Sequence, residues 1–300
     1  MANELRELQL QGDSTVYKLN DARITTTAVT TATHILTTNS GVTSIAPITA
    51  ENLGKVVAGA GLTRRTRLTD FSLDVLKQAV ADQNLEKYGL QVGDQKTING
   101  RTYVIAGLNP MKGASTPYRL TTNHVGLIVI PHTTQRWNES SNTYTGAGER
   151  GAGYANSDLH YYLVNTLLPL VQGDLGSGNL LAQSKLLGNA VNISGYNRMG
   201  AASGCTSSLG WVANQYICAL SEVQVYGSVV WSSSGFDTGE ACRQLDVFRH
   251  FNHTEIFGSE YPWLRDVVSA SVAAYADNDG TARYTTASSA YSVAALILFH

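Results

Sequence analysis

The chain has 300 residues, is 43% hydrophobic and only 15% charged, and carries a formal net charge of −2. That length and apolar share suffice for one large or two modest domains with a real core. The near-neutral balance excludes any global attraction to nucleic acid or to an anionic membrane. Three cysteines, Cys205, Cys218 and Cys242, make no CxxC pair, and their odd number suits synthesis in a reducing compartment. Residues 1–13 hold no apolar stretch, so no secretory leader is expected. No apolar run reaches the ~18 residues of a membrane span. A protein of this kind acting outside a cell would be released by another route, such as lysis.

Taken in order, residues 1–24 read as short strands about a turn. Leu8-Gln9-Leu10-Gln11 alternates, Gly12-Asp13-Ser14 interrupts, and residues 15–19 resume the pattern. Residues 25–49 include ten Thr, a β-branched residue that favours extended chain. Two readings stay open for them. One is an extended ribbon, too thin to bury enough surface alone and therefore wound with copies of itself. The other is a flexible Thr-rich linker. Residues 49–53 are expected to form a short capped helix closed by Gly59-Ala60-Gly61. Arg64, Arg65 and Arg67 read as a solvated connector.

A different composition begins near residue 68. Ser72 is expected to cap a helix over residues 73–80, with Leu73, Leu76 and Val80 on one face. Asn99-Gly100 between β-forming residues predicts a two-residue hairpin, because both turn positions favour positive φ. Val125-Gly126-Leu127-Ile128-Val129-Ile130 reads as a buried strand, and residues 138–156 as a long polar loop. Ser157 is an N-cap, followed by Asp158 at the positive helix end and by Leu159, Leu163, Leu167 and Leu170 at helical spacing. Pro169 is expected to close or kink that helix, and residues 173–178 to form a loop. Residues 216–220 are a strand candidate, and Leu245, Phe248 and Phe251 share a short helical face. The fold class is α+β, with short strands, long loops and no solenoid repeat.

Catalytic signatures are lacking. There is no GxSxG, HExxH or P-loop. Gly146-Ala147-Gly148-Glu149-Arg150-Gly151 follows no buried strand, so it is a loop rather than a dinucleotide site. His250 and His253, spaced i,i+3, lack a cysteine or a third acidic ligand and read as a polar helix edge. Asp94 and Glu222 sit near turn glycines and read as turn or capping residues. No cofactor, metal ligand or catalytic residue is expected.

The C-terminal stretch organises the rest. Residues 261–265 and 293–299 read as buried flanks, and residues 266–291 as a small, polar, tyrosine-dotted insert on display. Several motifs from residue 70 onward, namely Val92-Gly93-Asp94, Gly153-Tyr154-Ala155-Asn156-Ser157-Asp158-Leu159, Ala219-Leu220-Ser221-Glu222-Val223-Gln224-Val225-Tyr226-Gly227 and Trp263-Leu264-Arg265, carry a resemblance. They resemble a domain family of gut bacteria and their prophages. Members of that family, and of related C-type-lectin-fold groups, serve as variable proteins of diversity-generating retroelements, the phage tropism determinants among them. Tyr17-Lys18-Leu19-Asn20-Asp21-Ala22-Arg23 and Ile48-Thr49-Ala50-Glu51-Asn52-Leu53 are similar to the amino-terminal part of phage tail or receptor-binding proteins.

The resemblance implies a tail-attachment and trimerisation region with its linker over residues 1–67, and a C-type-lectin-like ligand-binding domain over residues 68–300. It further implies a homotrimer on the virion that engages a bacterial host-surface receptor, protein or glycan, together with phage tail or baseplate proteins. Nucleic acid and membrane insertion have no part in it. Adenine mutagenesis of Asn codons cannot produce Lys, Glu, Gln, Met or Trp, and residues 266–291 contain none of these. The family pattern assigns Trp263, Leu264, Arg265, Gly280, Ala282 and Val293 to the scaffold. It assigns the variable contact positions to Val268, Ser269, Ser271, Asp277, Asn278, Asp279, Thr281, Arg283, Tyr284, Thr285, Thr286, Ser289 and Tyr291. Tyr275, Tyr284 and Tyr291 would be the anchors, since tyrosine offers large contact area for few frozen rotamers. The chain departs from the family at Ala294-Ala295, where Arg-Pro is usual. It also lacks the Glu-Pro-Asn and Gln-Pro-Asp tripeptides of calcium-dependent sugar binding. Two rivals stay open: a structural tail-fibre or baseplate component, and a formylglycine-generating-like enzyme using the cysteines.

Overall fold

The computed structural model describes the backbone at Glu7–Gln9, Val16–Lys18, His34–Asn39, Val42–Pro47, 184–188 and 209–214. It describes whole residues at 67–112, 120–139, 153–154, 157–183, 215–231, 244–269 and 271–300. The chain separates into two compact units, Met1–Arg65 and Thr66–His300. The expected helix at residues 49–53, Arg64, Arg65, the glycine-rich segment 146–151, Cys205 and Cys242 lie outside the described residues.

In the first unit, β1 (Glu7–Gln9) pairs antiparallel with β2 (Val16–Lys18), Leu8 opposite Tyr17, on either side of the Gly12-Asp13-Ser14 break. β3 (His34–Asn39) pairs antiparallel with β4 (Val42–Pro47) from His34↔Pro47 to Asn39↔Val42. Part of the Thr-rich segment is therefore a hairpin within one chain.

Among its described residues the second unit is mixed α/β, with about 29% helix and 32% strand. Helix α1 (Leu73–Ala81) follows Ser72, whose backbone is extended but whose side chain makes no capping bond, contrary to expectation. β5 (Gln95–Ile98) and β6 (Arg101–Leu108) form the predicted hairpin, with φ of +48° at Asn99 and +78° at Gly100. β7 (Val125–Ile130) and β8 (Thr134–Arg136) come next. Helix α2 (Asp158–Tyr162) runs through a π-helical turn (Leu163–Leu167) into α3 (Leu168–Leu175). The Ser157 hydroxyl accepts the His160 N–H, so the predicted N-cap is present.

Pro169 neither closes nor ends this helix. It lacks the N–H that would bond back one turn, and the wider π turn just before it takes up the ring. The extra residue per turn also slips the buried face. Leu159, Leu163 and Leu167 are buried as expected, but the next core residue is Val171, and Leu170 is 45% exposed. Gly173 lies inside α3 rather than in a loop.

The remaining elements are β9 (Gln183–Gly188) paired with β10 (Leu209–Gln215), β11 (Ile217–Ala219), α4 (Glu222–Tyr226), α5 (Asp246–His250), α6 (His253–Phe257), β12 (Trp263–Ser269), β13 (Val272–Ala276), β14 (Ala282–Thr286), β15 (Ala290–Ser292) and β16 (Ala295–Phe299). A five-stranded antiparallel sheet in the order β11-β16-β7-β6-β5 is the centre. Its strands send alternate side chains to opposite faces. Tyr103, Ile105, Leu127, Val129, Ile297 and Phe299 pack with α1, the α2–α3 helix and Trp137. Val104, Ala106, Ile128, Ile130 and Leu296 pack with Leu245, Phe248 and Phe257. Both faces are covered, which is why β7 and β16 read as unbroken apolar runs. Each fully buried Leu or Ile there contributes roughly 1.5–3 kcal/mol.

The connector reading of Arg67 is corrected: its guanidinium lies over the Phe251 ring, 5.2 Å from the centroid. So is that of His253, which opens α6 while His250 closes α5. The two do not share a helix edge, and His253 is buried against Tyr226, Phe248 and Phe257. Asp94 takes a turn role, accepting the N–H groups of Leu68 and Gln91.

Candidate ligand-binding face

Residues 266–291 are not a loop between two strands. They belong to a three-stranded antiparallel sheet, β12-β13-β14, continued by β15 pairing with β8. Asp266, Val267 and residues 273–277 are buried. β12 and β13 are sandwiched: Trp263, Val267, Ala273 and Tyr275 face one core, and Leu264, Ala274 and Ala276 face the other. Alanines fill strand positions with little space on either side, a pattern that composition reads as a polar insert.

The Trp-Leu-Arg segment holds this sheet to the centre. The Trp263 indole N–H donates to the Gln135 carbonyl (2.9 Å), and the Trp137 indole donates to the Leu264 carbonyl (3.2 Å). The Arg265 N–H donates to the Leu220 carbonyl (2.9 Å), and its buried guanidinium lies 3.6 Å from the Cys218 sulfur. Asp266 accepts the Glu222 N–H (2.8 Å). The Glu222 carboxylate accepts the Val230 and Trp231 N–H groups, so it caps a turn as expected.

β14 is the edge of this sheet. The Asp277 N–H bonds the Thr281 carbonyl, which makes that pair a hydrogen-bonded one. Ladder alternation then turns the peptide groups of Ala282 and Tyr284 outward. The Ala282 carbonyl accepts the Trp231 indole N–H (2.9 Å), while the Tyr284 N–H and carbonyl have no partner among the described residues. The Trp231 and Tyr284 rings pack edge to face at 4.7 Å, and both are more than 40% exposed. On the opposite face of the strand, Arg283 pairs with Asp277 at 2.5 Å.

The turn before β14 is pinned by hydrogen bonds. Gly280 has φ of +90°, a conformation that suits only glycine without strain. The Thr281 N–H donates to the Asp279 carboxylate, which hydrogen bonding to Thr281 holds below the usual value. From α6, the His253 ring nitrogen meets the Asp277 carbonyl (3.1 Å) and the Thr254 hydroxyl donates to the Asn278 carbonyl (2.6 Å).

The proposed contact positions divide accordingly. Asp279, Thr281, Arg283, Tyr284 and Thr286 are exposed. Val268, Ser269, Ser271, Asn278, Thr285, Ser289 and Tyr291 are half-buried. Tyr275 and Asp277 are corrections: both are buried. The Tyr275 ring packs on Tyr291 (4.4 Å) and Trp263 (6.3 Å) because β13 lies between two cores. Burial, then its hydrogen bond with Tyr291, pushes the Tyr275 hydroxyl up to about 12. Tyr275 therefore joins Trp263, Leu264 and Arg265 as a support. The exposed aromatic Trp231 was missed, since it lies outside the insert, and Tyr261 is a correction: it opens a flank expected to be buried, yet it is exposed. The apolar triplet Val229-Val230-Trp231 set among serines was the available signal.

Among the described residues, no group of three or more His, Cys, Asp or Glu is placed to hold a metal ion, and no helix is long and apolar enough to cross a membrane. No protein-family model, curated protein or solved structure matches the chain.

Proposed function

We propose that the chain is a phage- or prophage-tail-associated receptor-binding protein whose C-type-lectin-like domain presents a diversified face to a bacterial host-surface ligand. The observation that carries this reading is the separation of support from display. Trp263, Leu264 and Arg265 are buried in hydrogen-bonded positions, while Arg283, Tyr284 and Thr286 stand on an exposed edge strand. Substitution at such edge positions leaves the core untouched. An outward-facing Tyr284 peptide beside a Trp–Tyr ring pair suits a protein ligand, which gains both strand pairing and aromatic contact. Residues 1–67 would attach and trimerise the protein, and clustered copies raise effective concentration where each contact is modest.

Fluorescently labelled full-length protein should decorate particular strains in a panel of gut bacteria, and excess unlabelled protein should displace it. Absence of saturable binding across the panel would favour a structural tail component. For diversification itself, the neighbouring DNA should hold a near-copy of the 3′ coding end that differs almost only at adenines, beside a reverse-transcriptase gene.

A further inference from the structure

A cleft of about 430 Å³ lies away from the β14 edge, between the α2 helix and the β8–β15 ribbon. Its volume falls within the ~300–1,000 Å³ usual for small-molecule sites. One wall is a single helix face, with Asp158, Tyr161, Tyr162 and Thr166 at i, i+3, i+4 and i+8. The other wall is the β8–β15 ribbon, where Thr134 and Arg136 share one face, Ala290 lies opposite Arg136, and Gln135 between them also lines the cleft. Ala290 keeps that wall low.

The walls are fixed to each other. The Asp158 carboxylate accepts the Glu139 N–H (2.7 Å), the Asn138 side chain accepts the Asp158 N–H (3.0 Å), and the Leu159 N–H donates to the Trp137 carbonyl (3.1 Å). The cleft is thus preformed, which limits the ordering cost of binding.

Its chemistry is that of a polyhydroxyl ligand. Tyr161 is 49% exposed and offers a ring for the C–H face of a pyranose. The side chains of Arg136 and Glu139, both lining the cleft, have no partner among the described residues. A guanidinium fork and a carboxylate chelate neighbouring hydroxyls as donor and acceptor. One cation against two carboxylates disfavours an anionic ligand.

We infer that this cleft is a saccharide-binding site for a neutral oligosaccharide, separate from the edge strand. It does not depend on the receptor-binding reading of that edge. The test is titration of the full chain with maltotriose, cellotriose and N,N′,N″-triacetylchitotriose, followed by saturation-transfer NMR and calorimetry. At least one should bind, and Tyr161→Ala and Glu139→Gln should each weaken it about tenfold, equivalent to ~1.4 kcal/mol. Tyr284→Ala should leave that affinity unchanged. Both substituted positions are on the cleft surface, and near-UV circular dichroism would verify that the variants are folded. No binding by any of the three sugars, binding indifferent to both substitutions, or tighter binding of inorganic phosphate would overturn the inference.

Discussion

The buried carboxylate of Glu222 accepts the backbone N–H of Trp231 at 3.0 Å, and Trp231 in turn caps the Ala282 carbonyl on the edge strand. Asp266 on β12 holds the Glu222 backbone, so a hydrogen-bond chain that is buried at Asp266 and exposed at Trp231 runs from the Trp-Leu-Arg support to the displayed aromatics. Glu222→Ala orphans the Val230 and Trp231 N–H groups. It should cost about 2–3 kcal/mol and speed hydrogen exchange at the Trp231 indole. Denaturant unfolding and exchange NMR would measure both. An unaltered Trp231 signal would break the proposed chain.

Tyr284 and Tyr275 should behave as opposites. Tyr284→Ala removes an exposed ring and should shift stability by less than about 0.5 kcal/mol while weakening ligand binding by ~2 kcal/mol or more if Tyr284 is an anchor. Tyr275→Ala opens a hole between Trp263 and Tyr291 and should cost about 3–5 kcal/mol of stability. Thermal unfolding and a cell-binding isotherm on both variants separate the roles.

Asp174 ties α3 to the β5–β6 hairpin. Its carboxylate, 1% exposed, accepts from Arg101 at 2.7 Å, from Asn99 at 2.8 Å and from the Tyr103 hydroxyl. Burial raises its pKa, but these bonds outweigh that and hold it below the usual value. Asp174→Ala leaves Arg101 uncompensated and should cost about 3–5 kcal/mol. Because the folded pKa is depressed, this stability is complete above the ordinary carboxylate value. It is lost as pH falls through the folded one, and the variant should show a flatter acid limb in urea titrations.

Histidines give a second acid limb at higher pH. Burial alone lowers His160 to about 4, and burial is the leading cause of the lowered values at His124 and His253. The unfolded chain therefore takes up protons first, and stability should fall as pH drops from ~6.5 towards 4. The loss from His160 is about 2 kcal/mol at pH 5. His160→Gln should remove much of that slope between pH 7 and 5, measured by chemical denaturation.

What was legible in the chain follows from local physics. The Asn99-Gly100 hairpin, the Ser157 cap and the apolar runs of β7 and β16 each carry their signal within a few residues. The C-terminal sheet does not. Val272-Ala273-Ala274-Tyr275-Ala276 has alanine at three of its five positions, a residue depleted in strands that fits here because two cores press on the sheet. The slip from Leu170 to Val171 depends on a π turn that spacing alone does not show. Trp231 joins the face through bonds to Glu222 and Ala282 and a ring contact with Tyr284, all distant in sequence and encoded by no local pattern.

The central claim is that the exposed β14 edge binds while its support folds independently. The direct test exchanges Asp279, Thr281, Tyr284 and Thr286 together for Ser, leaving residues 263–277 and Arg283, the partner of buried Asp277, intact. Cell binding and unfolding are then measured on the same preparation. The account predicts an unfolding free energy within about 1 kcal/mol of the parent and loss of saturable binding to the bacterial surface. Undiminished binding by a folded variant would contradict it.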